Sequence, residues 1–99
     1  MLLVGMEKNH ELKVAMVTVI SEVLKIKKDK KDLDYEEMMH QLERFIHKAK
    51  DKDSRLMMIV AASKTLDVIN RNPKISDKEI MKRMVDDLDF LIENAKEEN

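Results

Sequence analysis

Apolar residues recur along the chain with the spacing of amphipathic helices. In the first segment, from about Glu7 to Lys27, large apolar residues return every third or fourth position, as on one face of a helix. They are Leu12, Met16, Val19, Val23 and Ile26. A second set widens this stripe and consists of Ala15, Val17, Ile20 and Leu24. The pattern predicts a first helix that is buried over a wide arc.

The second predicted helix follows a charged connection. The stretch from Lys27 to Asp32 has no apolar residue and is predicted to be a loop. Asp34, with Glu37 three residues later, has the pattern of a capping box at a helix start. We predict a helix from about Tyr35 to Lys50. Its apolar face contains Tyr35, Met38, Met39, Leu42, Phe45, Ile46 and Ala49.

The third predicted helix begins after a short loop at Asp51–Asp53. Asp53 or Ser54 is expected to cap it, and it should run to about Arg71. Asn72-Pro73 should end it, because the residue before a proline avoids the α region. The centre of its core-facing side is predicted to be Met58, Ala61, Thr65 and Val68.

The fourth predicted helix starts at a second capping-box pattern, Ser76 with Glu79, and runs to about Lys96. Its apolar stripe contains Ile80, Met81, Met84, Val85, Leu88, Leu91, Ile92 and Ala95. Phe90 is an exception, since it is apolar but lies among acidic residues on the polar face. The chain is thus predicted to be an all-α protein with four helices.

The two halves of the chain are related when the sequence is shifted by 42 positions against itself. Identical pairs include Met16 with Met58, Ser21 with Ser63, Leu24 with Leu66, Glu37 with Glu79 and Met39 with Met81. The helix starts, loops and apolar stripes also coincide. We therefore predict a four-helix bundle formed by two sequence-related αα-hairpins, at about 7–50 and 54–96, in a single domain over residues 1–99.

Composition agrees with a helical bundle and narrows the functional classes. One Gly and one Pro in 99 residues are too few for a fold with many turns between strands. The formal net charge of −1 creates no global field that would attract nucleic acid or an acidic membrane. The chain has no Cys, and no segment has the length of a signal sequence or a membrane span. We expect a cytoplasmic protein.

The second hairpin resembles a family of small uncharacterised archaeal proteins made of two helical hairpins. The resemblance covers about the last third of the chain. It is carried by Ala61-Ala62-Ser63, Leu66-Asp67, Asn72-Pro73 and the apolar stripe from Ile80 to Leu88. Membership would imply a fold of two helical hairpins and no activity.

Two patterns of His and carboxylate residues are candidate metal sites. Glu7-x-x-His10 and Glu37-x-x-His40 match an element of di-iron bundles, but the third helix has no Glu to complete the ligand set. A second pattern places four residues in one stripe of the second helix: Glu36, His40, Glu43 and His47. Such residues could bind a surface Zn²⁺ or Ni²⁺. A solvated face of Glu–His pairs is the favoured interpretation, and no metal, cofactor or catalytic residue is predicted.

A basic cluster at the first loop is the alternative functional site. It consists of Lys25, Lys27, Lys28, Lys30 and Lys31. These residues could contact phosphates, which would make the protein an accessory nucleic-acid binder. Asp29 and Asp32 reduce the charge, and no aromatic residue is present to stack on a base. Nucleic acid is therefore an unlikely partner, and a solvated loop is the favoured interpretation.

The third helix carries a second apolar surface. Leu56, Ile59 and Val60 point largely away from its core-facing side. A helix that is apolar on all sides needs a cover on every side. Either the N-terminal Leu2-Leu3-Val4 segment or another protein chain is expected to provide it. The favoured prediction is a non-enzymatic interaction or assembly module, with this surface as the contact of a homodimer.

Overall fold

The structure, a computed structural model, describes residues 2–29 and 34–98, with side chains for residues 8–29 and 34–95. In these residues it contains four α-helices and no strand. The helices are α1 (Leu2–Asp29), α2 (Tyr35–His47), α3 (Lys52–Arg71) and α4 (Asp77–Glu98). The predicted all-α fold with four helices is confirmed.

Three of the predicted helix boundaries are confirmed by the local hydrogen bonds. Asp34 Oδ1 accepts a hydrogen bond of 2.8 Å from the backbone N–H of Glu37. Ser76 Oγ accepts one of 3.1 Å from the N–H of Glu79. α3 ends immediately before Asn72, whose N–H still bonds to carbonyls of the last turn. Each of these three boundaries depends on residues within a few positions of the helix end, so the local sequence is sufficient to predict it.

Other boundaries differ from the prediction. α1 begins at Leu2 and continues to Asp29, beyond both expected ends, while α2 stops at His47 instead of Lys50. Asp51 caps α3, because its carboxylate accepts hydrogen bonds from both the N–H and the hydroxyl of Ser54. The prediction of Asp53 or Ser54 as the cap was wrong. Residues 30–33, which include the rest of the predicted loop at Lys27–Asp32, lie outside the described residues.

The helices pack with α1 and α3 at the centre and with α2 and α4 on opposite flanks. α1 and α3 are in contact with each other, and each also contacts both flanking helices. Among the described residues, α2 and α4 do not approach each other. Lys8 near the start of α1 pairs with Asp51 at the start of α3, so the two central helices run parallel. No helix in the described ranges is long and apolar enough to cross a membrane.

The core is formed by the predicted stripes of all four helices. Large apolar side chains with no more than 2 % of their surface exposed occur on α1, α2 and α4: Met16, Val19, Ile20, Val23, Leu42, Ile80, Met84 and Ile92. Ala61 and Ala62 on α3 are also fully buried and allow close approach to α1. Thr65 is buried as well, and its hydroxyl donates to the carbonyl of Ala61 at 2.6 Å. That bond satisfies the hydroxyl without a partner from another helix.

Two residues of the predicted stripes are exposed. Tyr35 is the first residue of α2 and lies at its end, where the neighbouring helices cover it little. Val85 lies at the edge of the α4 stripe, next to the buried Met84. The assignment of these two side chains to the core was wrong. The remaining members of the α2 and α4 stripes are buried or packed against the core.

Candidate interaction surface

The outer face of α3 carries a cluster of three aliphatic residues, here called the α3 patch: Leu56, Ile59 and Val60. Leu56 is 39 % exposed and Ile59 is 44 % exposed, while Val60 is partly buried against the core. Residues three and four apart are neighbours on a helix surface, so the three side chains form one patch. As expected from the sequence, Leu56 and Ile59 point away from the bundle's own core.

The outer face of α1 provides a comparison within the same protein. It also has an exposed aliphatic residue, Val14, at 52 % exposure. The next residues along that face are Thr18, Ser21 and Lys25, which are all exposed and polar. Over the side chains that the structure describes in the two central helices, the outer face of α3 is therefore the one that bears an apolar cluster.

A groove between α2 and α3 adjoins the α3 patch. It has a volume of about 330 Å³ and is lined by Met39, Glu43, Ile46, His47, Arg55 and Ile59. Three of these side chains are apolar and the other three are polar or charged. Ile59 belongs both to the groove and to the α3 patch, so the two form one continuous surface. Mixed linings of this kind are typical of sites where an apolar group binds in a defined orientation.

Arg55 has a structural role at the end of the groove. Its Nε donates to the carbonyl of Ala49 at 3.0 Å, and its Nη2 donates to that of Lys50 at 3.3 Å. These bonds hold the connection after α2 against the first turn of α3. The guanidinium also places a positive group at the groove.

Sequence reasoning did not identify the groove. Met39 and Ile46 are predicted from the sequence to belong to the apolar face of the second helix, and both pack in the core or against it. No pattern in the sequence singles out Arg55. The available signal was that Ile59 is an aliphatic residue outside the core-facing stripe of α3. Which helix lies beside it depends on the packing of α2, and the spacing of residues in α3 carries no information about that packing.

The predicted His and carboxylate stripe of α2 is a solvated face in the structure. Glu36, His40, Glu43 and His47 are all exposed. Nδ1 of His40 lies 3.9 Å from Oε2 of Glu43. Among the residues that the structure describes, no three His, Cys, Asp or Glu side chains are grouped closely enough to hold a metal ion.

The candidate di-iron elements are not brought together as inward-facing ligands. Glu37, His40 and His10 are exposed, in contrast to the ligands of a di-iron bundle, which project inward. The side chain of Glu7 lies outside the described residues.

The basic cluster is only partly described. Lys25 and Lys28 are exposed on α1, and Lys27 lies 3.5 Å from the carboxylate of Asp77 on α4. That ion pair reduces the positive charge available to a phosphate. Lys30 and Lys31 lie outside the described residues.

The N-terminal Leu2-Leu3-Val4 segment, expected as one possible cover of the α3 patch, belongs to the first turn of α1. Its side chains lie outside those that the structure describes.

Comparison with known proteins adds no family to this geometry. No protein-family model matches the chain, and neither a curated protein nor a solved structure shows significant similarity to it. The resemblance of the second hairpin to the archaeal two-hairpin proteins stays a prediction.

Proposed function

We propose that this protein is a non-enzymatic interaction module that associates with itself through the α3 patch. The observation that carries the proposal is the exposure of Leu56 and Ile59 beside a groove to which Ile59 also belongs. Fully burying an aliphatic side chain of this size is worth roughly 1.5–3 kcal/mol. A contact that covers the patch is therefore more stable than two separate chains whose patches remain in water.

The proposal places the protein in the cytoplasm and gives it no catalytic role. A chain without Cys suits a reducing compartment. Among the polar residues of the groove, Arg55 already donates two hydrogen bonds to backbone carbonyls of its own chain. The groove is better suited to contact with an apolar surface than to chemistry on a substrate.

The sequence relationship between the two hairpins belongs to the same proposal. Its support is the parallel packing of α1 and α3 and the burial of Met16 and Met58 at matching positions. If the two hairpins are related, the outer faces of α1 and α3 are equivalent, and their sequences have diverged. The face on α1 is polar around Val14, and the face on α3 has become apolar.

The mass of the protein in solution tests the proposed function. Sedimentation velocity should show a dimer for the wild type at micromolar concentration. Leu56→Asp and Ile59→Asp should each produce monomers, because an unpaired carboxylate is costly in an apolar contact. Val14→Asp is the matched control, since it places the same charge at an exposed aliphatic position on the other central helix. It should leave the dimer intact.

Circular dichroism separates loss of association from loss of folding. All three variants should retain the helix content of the wild type, because each substituted side chain is exposed in the single chain. If the wild type is a monomer, the proposed function is wrong.

A variant lacking Met1–Gly5 tests the N-terminal segment as the alternative cover. If that segment covers the patch, its removal should create association in a chain that was monomeric.

A further inference from the structure

The α3 patch is part of a longer stripe, here called the outer stripe, which follows the outer face of α3 along its length. Since successive residues of a helix are separated by about 100°, the side chains of this stripe fall within an arc of about 80°. The arc lies opposite the buried Ala61 and Thr65. In chain order the outer stripe consists of Lys52, Leu56, Ile59, Ser63, Asp67 and Asn70. Ser63 and Asp67 are partly buried, and the other members are exposed.

Opposite charges lie towards the two ends of the outer stripe. Lys52 is in the first turn of α3, and it forms no ion pair with any residue that the structure describes. Asp67 lies near the other end. Its carboxylate is 3.1 Å from Nε of Arg71 on the same helix, and 45 % of its side chain is still exposed. A cation and an anion are therefore both accessible to a second molecule.

The residues of the outer stripe are arranged around one point of α3. The midpoint between Lys52 and Asp67 along the helix lies half a residue beyond Ile59. The midpoint between Leu56 and Ser63 lies at the same point. A twofold axis through this point and perpendicular to α3 would bring the two members of each pair face to face. The outer stripe is therefore complementary to an antiparallel copy of itself.

We infer that the protein forms a twofold dimer in which the outer stripes of two α3 helices pack antiparallel, with Lys52 of each copy facing Asp67 of the other. This inference rests on the proposed self-association and specifies which residues meet. Leu56 of each copy packs over Ser63 of the other, a large side chain against a small one. The two Ile59 side chains meet at the centre. Both exposed aliphatic residues of the α3 patch are then covered.

A parallel pairing of the same two stripes is disfavoured by charge. With a twofold axis parallel to α3, each residue meets its own equivalent in the other copy. Lys52 would then face Lys52, and Asp67 would face Asp67, so the contact would be repulsive at both positions. The antiparallel pairing brings opposite charges together at both positions. It also places the positive N-terminal end of each α3 beside the negative C-terminal end of the other.

The outer face of α1 lacks this complementarity. The positions that lie 42 residues before Lys52 and Asp67 are occupied by His10 and Lys25, and both side chains are exposed. An antiparallel pairing of two α1 helices would bring a histidine and a lysine together, without an opposite charge for either. Charge complementarity thus favours α3 over α1 as the helix that contacts a second copy.

Exchange of the two charges tests the antiparallel pairing. K52D and D67K should each raise the dimer Kd roughly tenfold, because each change brings like charges together twice in the contact. The double variant K52D/D67K should restore Kd to within about twofold of the wild-type value, since opposite charges again face each other. K64D is the matched control, because Lys64 is exposed on the same helix but lies outside the outer stripe. It should leave Kd unchanged. Sedimentation equilibrium measures all four constants.

Disulfide trapping tests the alignment of the two helices, since the wild-type chain contains no Cys. L56C and S63C are prepared separately, mixed above the dimer Kd and oxidised, and the products are resolved on a non-reducing gel. We expect a covalent dimer in the mixture and much less of it in either variant alone, because equivalent residues are about 10 Å apart along the antiparallel helices. V14C mixed with S63C is the matched control and should not crosslink. Circular dichroism should show wild-type helix content for every variant.

The outcomes separate this inference from the proposed function. Efficient crosslinking of S63C with itself would indicate a parallel pairing and would overturn the inference. So would a mixture of L56C and S63C that fails to crosslink, or a K52D/D67K variant that associates no more tightly than the single variants. In each of these cases, dissociation of the wild-type dimer by Ile59→Asp would leave the proposed function in place. A monomeric wild type would refute both.

Discussion

The ammonium group of Lys8 on α1 lies 3.2 Å from Oδ2 of Asp51, the residue that caps α3. Oδ1 of the same carboxylate accepts a hydrogen bond of 2.6 Å from the N–H of Ser54. One side chain therefore completes the start of α3 and also connects it to α1. The N–H of Ser54, followed by the Lys8 and Ser54 side chains, holds the pKa of Asp51 below its ordinary value. The hydrogen bond with Asp51 raises the pKa of Lys8.

These shifts predict how stability depends on pH. A lowered pKa in the folded state stabilises the fold above the unfolded value, about 3.9 for Asp, and the contribution disappears as pH falls through the folded value. The raised pKa of Lys8 gives the opposite pH dependence, with stability lost at high pH. Its contribution is complete below the unfolded value, about 10.4, and disappears as pH rises above that value.

Asp51→Ala should lower Tm by a few degrees at pH 7, because α3 loses both its cap and its pairing with Lys8. The difference in Tm from the wild type should be smaller at pH 2 than at pH 7, because the contribution of the Asp51 carboxylate is lost as pH falls through its lowered pKa. Thermal melts followed by circular dichroism at both pH values provide the measurement. Asp86→Ala removes an exposed acid that forms no ion pair with any residue the structure describes, and it should show no such narrowing. Equal differences at the two pH values for Asp51→Ala would contradict this explanation.

The basic cluster should not bind nucleic acid tightly. One of its lysines, Lys27, already pairs with Asp77. Fluorescence anisotropy with DNA and RNA oligonucleotides at about 150 mM salt should show no sub-micromolar affinity, and weak binding should decline further as salt rises. Tight, salt-dependent binding that is lost when Lys27, Lys28, Lys30 and Lys31 are changed to Glu would make nucleic-acid binding the better proposal.

The α2 stripe should bind transition metals weakly or not at all. His40 and His47 are exposed on a single helix, and water would have to fill the remaining coordination positions. Addition of equimolar Zn²⁺ or Ni²⁺ should therefore leave Tm unchanged in a thermal melt. An increase of several degrees that disappears in the His40→Ala, His47→Ala double variant would establish a metal site. Mg²⁺ serves as the control, because imidazole is a poor ligand for it.

The contrast between a buried and an exposed position of α4 tests the packing of the core. Ile80 is fully buried, so Ile80→Val should reduce the free energy of unfolding by about 1 kcal/mol through the loss of one packed methylene. Val85→Ala, at an exposed position of the same helix, should have little effect. Urea denaturation measures both changes. A larger loss for Val85→Ala than for Ile80→Val would show that the face of α4 is misassigned.

The sequence predicts those features of the fold that depend on neighbouring residues. The caps at Asp34 and Ser76 and the end of α3 before Asn72 each involve side chains within three or four positions of the helix end. The helical spacing of apolar residues likewise identified most of the core. The wide apolar arc predicted for α1 agrees with its central position, where it contacts three other helices.

The cap of α3, the groove and the alignment of the helices were decided only by the packing of the helices. Asp51, Asp53 and Ser54 are all suitable capping residues, and a contact from Lys8 on another helix accompanies the choice of Asp51. The groove depends on which helix faces Ile59, and the ion pair between Lys13 and Asp89 depends on how α4 is aligned with α1. Helical periodicity relates residues within one helix. Neighbours and relative heights of different helices are determined by the tertiary contacts that bury the four stripes together.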